Sequence, residues 1–103
     1  MSEKIIAGKT VQVSDDGYMT NMDEWTPEIG QEIAKEEGIE LTDKHMEVIN
    51  FIRDKVKAGD TLTIRSVGKS GIVDIKGFYG LFPGAPLKKA ARIAGVKKPA
   101  SCV

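Results

Sequence analysis

The sequence predicts an α+β fold in which a small N-terminal antiparallel β-meander packs on an array of helices and a flexible C-terminal arm follows. Three observations carry this expectation. Short β-favouring pieces crowd the first 20 residues. Capped stretches with apolar residues three and four apart come next. The last eight residues then offer little to bury and contain Pro99. Strands followed by a run of helices is the order of an α+β domain.

The β-favouring pieces are Ile5-Ile6, residues 10–13 and Tyr18-Met19, separated by Ala7-Gly8-Lys9 and Ser14-Asp15-Asp16-Gly17. Gly and Asp tolerate the positive φ of tight turns, so the segment reads as three strands. Three short strands are too few to stand alone, and helices must cover one face. Thr26 can cap a helix that opens on Pro27 and carries Ile29 and Ile33 on one side until Gly38. Trp25 just ahead reads as a packing anchor. Thr42 caps the next helix, where His45, Val48, Ile49, Ile52 and Val56 form the buried stripe and Gly59 ends it. On that stripe His45 reads as a structural side chain.

Residues 60–70 are ambiguous. Thr61, Leu62, Thr63 and Ile64 favour a strand, whereas Asp60 as a cap, with Ile64 and Val67 three apart, allows a short helix. Residues 72–75 read as an extended link, followed by an aromatic cluster of Phe78, Tyr79, Leu81 and Phe82. Pro86 opens a last helix that runs to Ala94, and Gly95 stops it. The expected organisation is one globular domain over residues 1–95 and a mobile arm over residues 96–103.

At 103 residues there is room for one core and one site. No stretch of 18 apolar residues exists, and residues 1–9 lack the apolar run of a secretory signal, so a cytoplasmic protein is expected. One Cys cannot close an internal disulfide, and with a single His there are too few soft ligands for zinc, so neither a metal nor a cofactor is expected. Gly-rich phosphate loops and Ser nucleophile elbows are absent. The net charge is zero, yet residues 1–50 carry 4 Lys and 12 Asp/Glu, while residues 51–103 carry 11 Lys/Arg and 3 Asp. Either the halves face each other or the basic half meets an anionic or acidic partner, whether protein, RNA or an oxyanion.

The candidate reactive group is Cys102, next to last in the chain. On an arm a thiol gains no packing energy and stays open to chemistry, which favours use of its reactivity over an incidental residue or an intermolecular disulfide. An ordinary thiol, with a pKa of about 8.5, is only a few per cent ionised at neutral pH. Lys98 on an extended arm lies about 13 Å away, beyond a Debye length of about 8 Å, and the Val103 carboxylate opposes ionisation. Activation therefore has to come from where the arm docks. Arg65 and Lys69 are the internal candidates, since in a helix they share a face at i, i+4. A Cys102–His45 dyad lacks any device to position the two groups.

Taken in order, Asp16-Gly17-Tyr18, Trp25-Thr26-Pro27, Gly38-Ile39-Glu40-Leu41-Thr42 with His45, the Arg65 to Lys69 spacing, Tyr79 with Leu81-Phe82-Pro83, and Ile93-Ala94-Gly95 leading through Lys98-Pro99 to Cys102-Val103 form a specific set. The chain resembles the DsrC/TusE sulfur-carrier proteins over nearly its whole length. The resemblance implies a persulfide carried on Cys102, with sulfur-donor and sulfur-acceptor proteins as partners: a sulfurtransferase, a thiouridylase or a sulfite reductase. It implies that Arg65 and Lys69 belong to the surface toward which the arm folds, and it tilts residues 60–70 toward helix. Its departures are informative too. Ala91 stands where DsrC has a second arm cysteine, the stretch between Lys69 and Phe78 is short, and Lys97 replaces a common Pro. The readings left open are sulfur relay toward tRNA 2-thiouridine, sulfur traffic of the dissimilatory sulfite reductase type without a second cysteine, and a DNA-binding or regulatory module. The third lacks an array of base-reading side chains.

Overall fold

A computed structural model describes residues 2–99. It holds two strands, β1 (Ser2–Ile6) and β2 (Lys9–Val13), and five helices, α1 (Pro27–Glu36), α2 (Asp43–Lys57), α3 (Ile64–Gly68), α4 (Ile75–Leu81) and α5 (Pro86–Ile93). The α+β class and the order of strands before helices follow the sequence. The strands pair antiparallel with Ser2 opposite Val13 and Ile6 opposite Lys9. Ala7 (φ 52°) and Gly8 (φ 78°) make the two-residue turn between them, its positive φ values matching the right-handed strand twist.

The third piece of the meander is reduced to one bridge, Val13 to Met19. The bridge is made by the Ser14 amide donating to Tyr18 O at 2.7 Å and the Thr20 amide donating to Gln12 O at 3.0 Å. One contact explains why it goes no further: the Gln12 amide donates to the carboxylate of Glu24 at 3.0 Å. Glu24 belongs to a 3-10 turn, Met22–Glu24, whose cap Asn21 accepts from the Asp23 amide. A side chain thus takes up a strand-edge donor that would otherwise stay unpaired.

The helix starts are set by side-chain caps. Thr26 accepts from the Ile29 amide with Pro27 at the first helical position, and Thr42 accepts from the His45 amide. Residues 60–70 resolve as a short helix. Its cap is Thr63 rather than Asp60, because Thr63 and Ser66 satisfy each other's amides in a capping box. Asp74 caps α4 through the Gly77 amide at 2.6 Å. The aromatic cluster is therefore helical, with Phe78 and Phe82 fully buried and their rings edge to face at 5.7 Å.

The amphipathic faces of α1, α2 and α5 close the core with β1 and β2 on one flank, burying Ile29, Val48, Ile49, Ile52, Leu87 and Ile93 among others. The exit of α5 is the most constrained point. Trp25 Nε1 donates to Ile93 O at 2.8 Å. Arg53 donates to Ala94 O at 2.8 Å and to Met22 O at 3.0 Å. The Arg53 guanidinium lies 4.4 Å over the Trp25 ring. Burial lowers the pKa of Arg53 from its ordinary value, against the pull of Asp23 and Asp54. Gly95, at φ 70°, presses on the same ring, and a Cβ there would come within 2.7 Å of Trp25 Cγ. The turn is closed by the Val96 amide on Ala91 O. Val96, counted with the arm on sequence, is fully buried, so the packed body runs one residue past Gly95.

Gly95→Ala combines a left-handed backbone with a collision against Trp25 and should cost about 2–4 kcal/mol. Gly59→Ala, at φ 81° with open space around it, should cost only about 1 kcal/mol. Urea unfolding of the two variants checks the difference.

Candidate functional site

The residues of the candidate site come from α3, α4 and the start of the arm. Arg65 is the second residue of α3 and Lys69 its C-terminal cap. The Lys69 amide donates to Arg65 O at 3.0 Å, which places the two side chains one helical turn apart as the spacing predicts. Both line a pocket of about 430 Å³ together with Gly68, Asp74, Ile75 and Lys76. Gly68 lets α3 and α4 meet: a Cβ there would lie 2.7 Å from Ile75 Cγ1.

Lys76 is the site residue that sequence reasoning missed. Its place depends on α4, and residues 72–75 looked like an extended link. The signal that would have found it is Asp74, a capping residue three positions ahead of Gly77. None of Arg65, Lys69 and Lys76 forms an ion pair among the described residues, whereas Lys4, Lys35, Lys44, Lys55, Arg92 and Lys98 all do. The charge asymmetry of the sequence thus has two outcomes. Arg92 meets Glu36 and Glu37, and Lys98 meets Asp16 at 3.5 Å, so part of the basic half faces the acidic one. The α3–α4 cations, like Lys57, Lys88, Lys89 and Lys97, form no ion pair among the described residues.

Cys102 lies outside the described residues. The last described stretch leads toward it: Lys97, Lys98 and Pro99 border a small cavity of about 150 Å³ with Val56, Gly59, Asp60, Thr61 and Leu62. The arm thus begins against the loop that runs into Thr63 and α3. Three further residues, about 10 Å of extended chain, lead from Pro99 to Cys102.

His45 belongs to the core. Its Nε2 donates to Leu81 O at 2.8 Å, which makes Nδ1 the acceptor for the Thr42 amide at 3.2 Å. The ring packs edge to face on Phe82 at 5.1 Å. With both nitrogens used and 7% of its surface exposed, it is not placed to serve a nucleophile. Ala91 is fully buried on α5. A second cleft, between Gln31, Lys35 and residues 38–41, brings no nucleophile or cation cluster together. No described helix is long and apolar enough to cross a membrane.

Comparison with known proteins agrees with this fold. The family described as DsrC like protein matches residues 5–103. The gamma subunit of the dissimilatory-type sulfite reductase of Nitratidesulfovibrio vulgaris is 34% identical over 105 residues, covering 100% of both chains. The sulfurtransferase TusE of Escherichia coli is 34% identical over 107 residues, covering 96% of this chain and 98% of that one. Among solved structures, a chain of dissimilatory sulfite reductase I superposes with a TM-score of 0.85 at 34% identity, covering 99% and 100% of the two chains. DsrC of Allochromatium vinosum gives 0.81 at 33% identity, covering 98% and 97%. The fold, the Trp25-anchored exit of α5 and the motifs that run on to Cys102 thus have one explanation: the chain belongs to the DsrC-like family.

Proposed function

We propose that this protein is a sulfur carrier of the cytoplasm that holds sulfur as a persulfide on Cys102 and hands it to a partner protein. The observation that carries the reading is the extent of the family match, which runs from residue 5 through residue 103 and so includes Cys102. Full-length relatives named sulfurtransferase and sulfite reductase gamma subunit point the same way.

The exchange needs neither a metal nor a redox cofactor. The Cys102 thiolate attacks the outer sulfur of a donor persulfide. A Cys102 Sγ–S bond forms, the donor S–S bond breaks, and the donor thiolate leaves with the electron pair. Delivery is the reverse step onto an acceptor thiolate, so one sulfur atom moves and nothing is oxidised overall. With Ala91 in place of a second cysteine, no disulfide closes within the chain, and sulfur delivered from Cys102 leaves a free thiol behind. That suits a relay. The acceptor belongs either to tRNA 2-thiouridine synthesis, as the TusE relatives suggest, or to a sulfite reductase pathway.

Arg65 and Lys69 are proposed to activate Cys102 where the arm folds back. What supports this is the approach of Pro99 to the loop ahead of α3 and the lack of ion pairs at both cations among the described residues. Lowering a thiol pKa toward neutrality raises the thiolate fraction several-fold.

Intact-mass measurement after incubation with inorganic polysulfide should show a gain of one sulfur that dithiothreitol removes and that Cys102→Ser lacks; no gain with any persulfide donor sinks the carrier reading. Separately, the double variant Arg65→Ala/Lys69→Ala should move the alkylation-versus-pH profile of Cys102 upward by about 0.5 unit or more. An unmoved profile refutes internal activation while leaving the carrier role intact.

A further inference from the structure

We propose that the outer edge of β1 is a self-association surface, on which a second copy of this chain adds its own β1, antiparallel and centred on Lys4, to continue the sheet across a two-fold axis.

The ladder shows which groups that edge offers. Gln12 turns its backbone away from β1: its carbonyl accepts from the Thr20 amide at 3.0 Å, and its amide donates to Glu24 at 3.0 Å. Inward and outward groups alternate along a strand. Lys4 opposite Val11 and Ile6 opposite Lys9 therefore carry the bonds between β1 and β2, while Glu3 and Ile5, opposite Gln12 and Thr10, turn their amides and carbonyls to the far edge. Those groups find no hydrogen-bond partner among the described residues. Ser2, Glu3 and Ile5 are all exposed, and Ile5, at 73%, is the most exposed large apolar side chain of the described residues. The fold thus covers one edge of its sheet and leaves the other bare. Unpaired strand groups beside an exposed apolar side chain are a template for another strand.

The edge complements itself. Antiparallel pairing about Lys4 sets Glu3 opposite Ile5 of the second copy and Ile5 opposite its Glu3. Each such pair exchanges both N–H···O bonds, so the outward amides and carbonyls of Glu3 and Ile5 are all satisfied. On the solvent face the two Ile5 side chains become diagonal neighbours and cover each other. On the other face Lys4 meets Lys4, but each ammonium is held by its own Glu36 at 3.0 Å. What faces across the axis is a pair of ion pairs rather than two bare cations, and the formal net charge of zero adds no long-range repulsion. Because Thr20 and Glu24 occupy the edge of β2, the assembly closes at two copies instead of growing into a fibre. A contact of one short strand buries less than the roughly 1,200 Å² of a stable interface, so the dimer forms only toward millimolar concentration.

The test uses the full chain labelled with nitrogen-15 and kept in dithiothreitol, so that no disulfide through Cys102 contributes. Raising its concentration from about 0.05 to about 2 mM should slow translational diffusion toward that of a dimer. It should also shift the amides of Glu3 and Ile5 progressively and protect them from solvent exchange. Ile5→Glu sets like charges opposite each other at both pairs and should weaken association at least about fivefold. Adding Glu3→Lys to Ile5→Glu makes those pairs opposite in charge and should restore association to within about threefold of native. Both side chains are exposed, so the dilute variants should keep the native spectrum. Constant diffusion and shifts up to the highest concentration overturn the proposal. So does association that moves other amides and leaves Glu3 and Ile5 still, that ignores Ile5→Glu, or that Glu3→Lys fails to rescue.

Discussion

The stack of Arg53 on Trp25 is the contact on which the rest of the molecule depends. Trp25 sits at the entry to α1 and Arg53 in the later turns of α2, and both donate to the last carbonyls of α5. One contact therefore ties three helices together at the point where the chain leaves the body. The end carbonyls of a helix have no partners within it. Here two partly buried side chains supply them, and a third bond, to Met22 O, fixes the loop that leads into α1. Gly30 and Gly95 complete the arrangement by letting backbone approach both sides of the indole, where a Cβ would come within 2.8 Å and 2.7 Å of ring carbons. The core helices set a wall of Ile and Val. This polar knot sets where the arm begins.

Much of this was legible in the sequence where the signal is local. Thr26-Pro27, Thr42 and Pro86 mark helix starts because capping depends on a few neighbouring residues, and the apolar spacing of His45, Val48, Ile49 and Ile52 marks a buried stripe. What was not legible depends on contacts between distant segments. The third strand shrinks to a bridge because Glu24 captures the amide of Gln12. Local rules do not foresee that choice. Residues 60–70 stood between strand and helix until the reciprocal bonds of Thr63 and Ser66 decided them. Arg65 and Lys69 could be paired by spacing alone, while Lys76 joins them only through the packing of α4 against Gly68.

The two halves of the chain differ by sixteen charges, and the fold spends them unevenly. Arg92, with Glu36 and Glu37 beside it, ties α5 to the end of α1. Lys98 reaches Asp16 on the strand-side turn. These contacts bring the root of the arm onto the acidic half through Lys98, while the cations of α3 and α4 form no ion pair among the described residues.

The pinned root limits reach: three residues beyond Pro99 cannot carry Cys102 farther than about 10 Å from that point. For the carrier role proposed above, a partner active site would have to accept the body of the protein as well as its tip, because the leash is too short to deliver sulfur from a distance.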